Sequence, residues 1–237
     1  VARGDLGVEM PAEEVPLLQK ELIQKANSLG IPIITATQML DSMASSPRPT
    51  RAEVSDVANA ILDGTDAVML SNETAVGDFP VEAVQTMATI ARRIEKDYPQ
   101  RSIDSHLPST VPNALSGAVS TIASQLNASA IVPLTKSGAT ARNVSKFRPA
   151  APILAITPDS TVASRLQLVW GVTPLVIPQK ERTTQTFDAA MARARELDLL
   201  KVGDVVIQTA GTHAGVSGST DLVKVSIVSS EAQATLL

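Results

Sequence analysis

The chain contains no cysteine. Disulfides, cysteine nucleophiles and thiolate metal sites are therefore excluded, and the composition fits a cytosolic compartment. Aromatic residues make up only 2% of its 237 residues, with one Trp, one Tyr and three Phe. The cores must then be built from Val, Ile, Leu, Ala and Met, the packing common under α/β sheets. Histidine is as scarce: His106 sits in a polar stretch and His213 in a Gly-rich one, neither with a partner at metal-ligand spacing, so both are expected at the surface. No apolar run approaches the roughly 18 residues of a membrane helix, and no signal peptide is visible, so no membrane association is expected. Positive charge is not in excess. The net charge of −4 argues against general nucleic-acid binding, which relies on basic patches. What remains, 44% hydrophobic and 19% charged residues, suits a globular protein of one large or two ordinary domains. Val1 begins without Met inside a loop-like motif, which reads as a chain cut within a domain.

Helix and strand signals alternate. Pro16 to Leu29 sets Leu18, Leu22, Ala26 and Leu29 on one helical face, with Gly30 as the stop. Ile31 to Ala36 reads as a buried strand. Thr50-Arg51-Ala52-Glu53 is a capping box that opens a helix ending at Gly64. Asp66 to Leu70 is the next strand, and Pro80 opens a helix with Val84, Met87, Ala91 and Ile94 aligned. Prolines 99, 108 and 112 among polar residues predict a linker over 99–112. A second α/β series follows over 113–237. Its helices start near Asn113, Ala139, Val162 and Thr184, and its strands near Ala130, Ile153, Thr173 and Asp204. A last, alternating strand at Leu222 to Val228 is expected at a sheet edge.

The first three strand candidates end in Arg3-Gly4-Asp5, in Thr35-Ala36-Thr37-Gln38 and in Ser71-Asn72-Glu73-Thr74. In (β/α) barrels that end carries the active site, and three strands are too few to close one. Asp5 is a hard oxygen ligand suited to Mg²⁺. Gly4 lets backbone N–H groups approach a carboxylate or phosphate, and Thr37 and Ser71 offer hydroxyls. The alternative is that all are turn and cap residues. Later, Leu134-Thr135-Lys136-Ser137-Gly138-Ala139-Thr140-Ala141 follows a strand and opens a helix, a pattern that can cradle phosphate, though an ordinary polar turn has the same composition. The stretch Gly211 to Thr220 is too long and Gly-rich for a tight hairpin.

Four motifs in order carry a resemblance. Ala2-Arg3-Gly4-Asp5-Leu6-Gly7-Val8-Glu9, Ala36-Thr37-Gln38-Met39-Leu40-Asp41-Ser42-Met43, the stretch from Pro47 to Ala60, and Met69-Leu70-Ser71-Asn72-Glu73-Thr74-Ala75 are similar to the signature segments of the pyruvate kinases. The resemblance continues through the second series. It implies an α/β chain: the last three strands of a (β/α)8 TIM barrel over 1–98, then a smaller, sandwich-like regulatory domain with a mostly parallel five-stranded sheet. It implies a cytoplasmic glycolytic homotetramer that moves a phosphoryl group from phosphoenolpyruvate to ADP, giving pyruvate and ATP. Asp5 would hold Mg²⁺, with Mn²⁺ as a substitute. Gly4, Asp5 and Thr37 would hold the substrate, and Thr37, Ser71 and Glu73 would act in catalysis, the last two relaying the enolate proton. K⁺, a catalytic Lys, a second metal carboxylate and most ADP contacts would lie upstream, so the chain alone is expected to be inactive. Arg51 is expected to be structural or at a subunit contact. Asn72 departs from the small residue usual at its place.

In the second domain the resemblance implies an effector site for a sugar phosphate or nucleotide monophosphate. Its residues would be Thr135, Lys136, Ser137, Gly138, Thr140, Arg182, Gly215, Ser217 and Gly218. The Trp that fructose-bisphosphate-activated relatives carry after Ile177 is missing and Arg182 is present, which favours a monophosphate. Two rival readings remain at this point: an enolate lyase on a similar barrel, and a non-catalytic effector-binding module.

Overall fold

A computed structural model describes residues 1–98, 110–211 and 220–229. The chain divides into two compact units, Val1–Pro99 and Gln100–Leu237.

The first unit contains helices α1 (Arg3–Glu9), α2 (Val15–Leu29), α3 (Arg51–Asp63), α4 (Asn72–Ala75) and α5 (Pro80–Lys96). Strands β1 (Ile34–Thr35) and β2 (Ala67–Val68) run parallel, with Thr35 opposite Val68. Ala2 bridges Ala36 in the same sense, so three extended segments lie side by side with β1 in the middle. The strands are shorter than the sequence pattern predicts, and just before β1 a side chain takes the place of a ladder bond. The Asp66 carboxylate accepts the Ile33 N–H at 3.0 Å. Arg3-Gly4-Asp5, expected as a strand end, is instead the first turn of α1, closed by Leu6 N–H on the Ala2 carbonyl at 3.2 Å.

Local signals do fix the helix ends. Thr50 accepts the Glu53 N–H while the Glu53 carboxylate accepts the Thr50 N–H, which is the expected capping box. Gly30 (φ 67°) and Gly64 (φ 98°) close α2 and α3 in the left-handed conformation that glycine adopts without a Cβ clash. The inward face of α2 differs from expectation. It runs through Gln19, Ile23 and Asn27, and Leu29 is 63% exposed. The cause is polar: Asn27 donates to the Gly64 carbonyl at 2.9 Å and Gln19 to Asp63 at 3.1 Å, so α2 docks on the C-terminal end of α3. The core joins Met39, Leu40 and Met43 to Val57, Ala60 and Ile61 of α3 and to Ala83 and Met87 of α5. Val84, expected inward, is 52% exposed one position off that face.

The second unit is an α/β sheet with helices on both faces. Helices α6 (Val111–Gln125), α7 (Ala139–Ser145), α8 (Ser160–Leu166) and α9 (Thr183–Glu196) alternate with strands β3 (Ala130–Pro133), β4 (Ile153–Thr157), β5 (Val172–Val176) and β6 (Val205–Gly211), followed by β7 (Thr220–Ile227). The order is β5-β4-β3-β6-β7, all parallel except the β6–β7 pair. Edge strand β7 is where its alternation puts it. Alternate residues of β3 and β4 divide between the two faces. Ala130, Val132, Leu154 and Ile156 meet Phe187, Ala190 and Ala194 of α9. Ile131 and Ile153 meet Val119 and Ala123 of α6 and Val144 of α7, and Ala155 meets Leu166 of α8. Leu126 is 46% exposed, since α6 ends one residue before it. The predicted linker falls mostly on residues 99–109, outside the described residues. Pro112, placed in it, instead occupies the first turn of α6, where the missing N–H costs nothing. The Arg148 guanidinium lies over Trp170, 5.3 Å from its ring centroid. Among the described residues no helix is long and apolar enough to cross a membrane.

Candidate functional site

In the first unit, parallel register sets the ends of the three extended segments level. Ala2 lies opposite Ala36, and Met69 N–H donates to the Thr35 carbonyl at 3.0 Å. The residues that follow, Gly4 and Asp5, Thr37, and Ser71, leave from the same end of adjacent strands. Gly4 N–H donates to the Thr37 hydroxyl at 3.0 Å, so two of the expected substrate residues are in contact. The same hydroxyl donates to the Ala36 carbonyl at 2.6 Å. To hold a substrate carboxylate it must turn its proton away from that carbonyl. A Cβ on Gly4 would lie 3.7 Å from the Thr37 oxygen, an ordinary contact, so glycine here keeps the surface open rather than relieving a clash.

The Thr37 segment is wound unusually. Thr37 (φ 73°) and Gln38 (φ 53°) both lie in the left-handed region, at about 1–3 kcal/mol each. Three side chains hold it there. Arg3 donates to the Thr37 carbonyl at 2.7 Å and pairs with Asp56 at 2.6 Å. Glu73 accepts the Leu40 N–H at 2.9 Å. Glu53 accepts the Ser42 N–H at 2.7 Å and its hydroxyl at 2.5 Å. Burial pushes the Glu53 carboxyl up, but the bonds from Ser42 and Thr50 together outweigh it and hold the group below its ordinary value of 4.5. Sequence reasoning saw Glu53 only as a cap and missed Arg3 and Asp56 as a loop brace. A pair 53 residues apart leaves no local signature.

Asp5 is exposed on the first turn of α1. Among the described residues no three His, Cys, Asp or Glu side chains gather to hold a metal. Mg²⁺ commonly takes one or two protein carboxylates beside substrate phosphates and water, and Asp5 fits as one such ligand. Ser71 is half-buried immediately before α4, and its N–H donates to Glu73 at 2.8 Å. Glu73 is 1% exposed, with one oxygen on Leu40 and the other on Ser71. Asn72 is exposed and reaches Asp41 at 3.5 Å. Arg51 is exposed at the start of α3.

The second unit presents its own loop cluster. The chain leaves β3 for β4 on one side, while β6 pairs with β3 on the other. Ligands of open α/β sheets settle at the carboxyl ends of strands at such a switch point. Thr135, Lys136, Ser137 and Gly138 lie at that end of β3. Lys136 and Ser137 are exposed, whereas Thr135 is 7% exposed. Gly138 (φ 82°) caps α7, and a Cβ there would meet the Arg142 guanidinium at 2.8 Å. Thr140 is 7% exposed and its hydroxyl bonds that of Thr220 at 3.0 Å. This links α7 to the start of β7, a contact the sequence did not suggest. Arg182 is exposed just before α9, following β5. Two strand spacings separate the ends of β3 and β5, roughly 10 Å. Gly215, Ser217, Gly218 and His213 fall in 212–219, and His106 in 99–109, outside the described residues.

Residues 1–84 match the family model for the pyruvate kinase barrel domain, and residues 113–226 that for the pyruvate kinase alpha/beta domain. The chain is 65% identical over 228 residues to pyruvate kinase 2 of Synechocystis sp., covering 96% of this chain and 39% of that protein. It is 54% identical over 233 residues to the pyruvate kinase of Geobacillus stearothermophilus, covering 97% and 40%. It is 47% identical over 235 residues to that of Clostridium acetobutylicum, covering 96% and 49%. The chain thus spans less than half the length of each of these relatives.

Proposed function

The chain belongs to the pyruvate kinase family, and on that premise we propose that it is the C-terminal part of an enzyme that transfers the phosphoryl group of phosphoenolpyruvate to ADP, giving pyruvate and ATP. The observation that carries the reading is the contact of Gly4 N–H with the Thr37 hydroxyl at the level ends of parallel strands, beside Asp5. The contact gathers donors at one strand end, where electrostatic catalysis acts, and the Thr37 hydroxyl serves once its proton turns from the Ala36 carbonyl.

In this reading the Asp5 N–H and the Thr37 hydroxyl receive the substrate carboxylate, together with the Gly4 N–H once it exchanges the Thr37 oxygen for the substrate. Arg3 does not bind substrate, because Asp56 and the Thr37 carbonyl already engage its guanidinium. Its task is to keep Thr37 turned toward Gly4. The Ser71 hydroxyl, on the neighbouring strand end, serves the proton delivered to the enolate carbon. Asp5 would hold Mg²⁺, which when bound supplies positive charge against phosphate and enolate oxygens. K⁺, a catalytic Lys, a second metal carboxylate and most ADP contacts would come from residues outside this chain, so the chain alone is expected to turn over no substrate. The second unit is the allosteric domain. Thr135, Lys136, Ser137, Gly138 and Thr140 receive the phosphate of a monophosphate effector, with Arg182 closing from β5. The assembled enzyme is a homotetramer.

Steady-state assay of the complete enzyme tests this. Phosphoenolpyruvate with ADP should give pyruvate, and Asp5→Asn should lower kcat/KM by about 100- to 1000-fold. Titration of this chain alone separates the second reading, a regulatory module. Sugar-phosphate binding together with a complete enzyme that makes no pyruvate would establish the module and refute the kinase.

A further inference from the structure

We propose that Glu73 is a positioning residue that fixes the two substrate-side loops against each other, and not a carrier of the enolate proton. The inference rests on the pyruvate kinase reading and departs from the relay role that the resemblance implies. Its basis is the disposition of the carboxylate. One oxygen accepts the Leu40 N–H at 2.9 Å and the other the Ser71 N–H at 2.8 Å. These amides belong to different strand ends: Leu40 follows the left-handed Thr37–Gln38 pair, and Ser71 carries the candidate hydroxyl. A single side chain therefore spans the segments bearing Thr37 and Ser71.

A proton carrier needs an oxygen facing the reacting carbon or a path from solvent. Glu73 is 1% exposed, and further chain packed against this unit can only lower that figure. Both oxygens are already engaged by backbone donors.

The surroundings are built to hold this arrangement. Short helix α4 packs backbone to backbone on the turn at Asp41–Ala44: Asp78 N–H donates to the Ala44 carbonyl at 2.8 Å. Gly77 makes the approach possible, since a Cβ there would lie 2.6 Å from the Glu73 carbonyl oxygen and 3.0 Å from the Ala44 Cα. Leu40 and Met39, both 0% exposed, anchor the other side. The clamp sets where Thr37 and Ser71 stand relative to one another, and misplacement of about 1 Å in such groups costs about 100-fold in rate.

The test compares two partial reactions in the complete enzyme. Glu73→Gln keeps the size of the side chain but replaces one acceptor oxygen with an NH₂ donor, so either Leu40 or Ser71 loses its partner. Phosphoryl transfer, and solvent-deuterium exchange into the methyl group of pyruvate, should fall together by about 10- to 100-fold. KM for phosphoenolpyruvate should rise, the pH profile of the exchange should keep its shape, and amide exchange should quicken at Leu40 or Ser71, whichever is left without an acceptor, but not within α3. An exchange rate that falls about tenfold more than phosphoryl transfer, or a lost limb of the pH profile, would assign the proton to Glu73 and overturn the proposal. Should the variant not fold, the unsubstituted enzyme still decides: slow exchange at both amides supports the clamp and fast exchange at either refutes it. An enzyme without pyruvate kinase activity would sink the functional reading separately, leaving the amide measurement to judge the clamp.

Discussion

Replacing Glu53 should loosen the Thr37 loop and make the loss depend on pH. The carboxylate accepts four hydrogen bonds, from Ser42 N–H at 2.7 Å, Ser42 Oγ at 2.5 Å, Thr50 N–H at 2.7 Å and Thr50 Oγ1 at 2.9 Å. The Thr50 pair is an exposed helix cap, a feature that contributes about 0.5–1 kcal/mol. The Ser42 pair is partly buried and charge-assisted, and contributes about 1.5–2 kcal/mol after water replaces what it can. Glu53→Ala should therefore cost about 2–3 kcal/mol, and Glu53→Gln, which keeps one neutral acceptor, about 1 kcal/mol. The sign with pH follows from a folded pKa depressed below the ordinary 4.5. The contribution is complete above that value and is lost as pH falls through the lower folded pKa. Urea unfolding followed by circular dichroism should thus show the gap between wild type and Glu53→Ala at about pH 7 shrinking by about pH 4. A gap that stays constant between those conditions, or a Glu53→Ala variant as stable as wild type near neutrality, would refute the assignment of stability to the ionised carboxylate.

Gly77→Ala should be costly although the side chain is small, because the atoms a Cβ would strike at 2.6 and 3.0 Å are backbone. We expect about 1–3 kcal/mol of destabilisation in the same unfolding assay, with weaker phosphoenolpyruvate binding in the complete enzyme. In the second unit, Thr140→Val leaves the Thr220 hydroxyl, 4% exposed, without its partner at 3.0 Å. The cost should be about 1–3 kcal/mol, read from the fluorescence of Trp170 during urea unfolding. The double variant with Thr220→Val should recover most of it, since removing both hydroxyls leaves no orphan. A double variant no better than the single one would show that the two hydroxyls do not depend on each other.

Much of this molecule is legible along the chain because the signals are local. The Thr50–Glu53 capping box, the glycine stops at 30 and 64, and the alternation of helical and extended periods each depend on residues within a turn or two of one another. The four motifs of the first unit and the polar turn after β3 are likewise continuous stretches, so the residue types that approach a substrate or a phosphate could be named before any coordinates. The inward face of α2 could not. Apolar periodicity selects Leu18, Leu22, Ala26 and Leu29, whereas docking on the end of α3 turns Gln19 and Asn27 inward to satisfy Asp63 and the Gly64 carbonyl. Glu73 reads in sequence as one more polar residue of a catalytic motif, and only the folded chain puts Leu40 and Ser71 on its two oxygens.

The sequence by itself determined most of the longer helices, the strands of the second unit, the stops at Gly30 and Gly64 with the cap at Thr50, and the family to which the chain is related, because each is written in neighbouring residues. The tertiary structure alone decided that Arg3 braces Thr37 through Asp56, that Glu73 ties two loops together, and that Thr140 meets Thr220. Those contacts join residues 33 to 80 positions apart for all but the Glu73–Ser71 bond. They arise from the register of parallel strands and the packing of their loops, which no local pattern encodes.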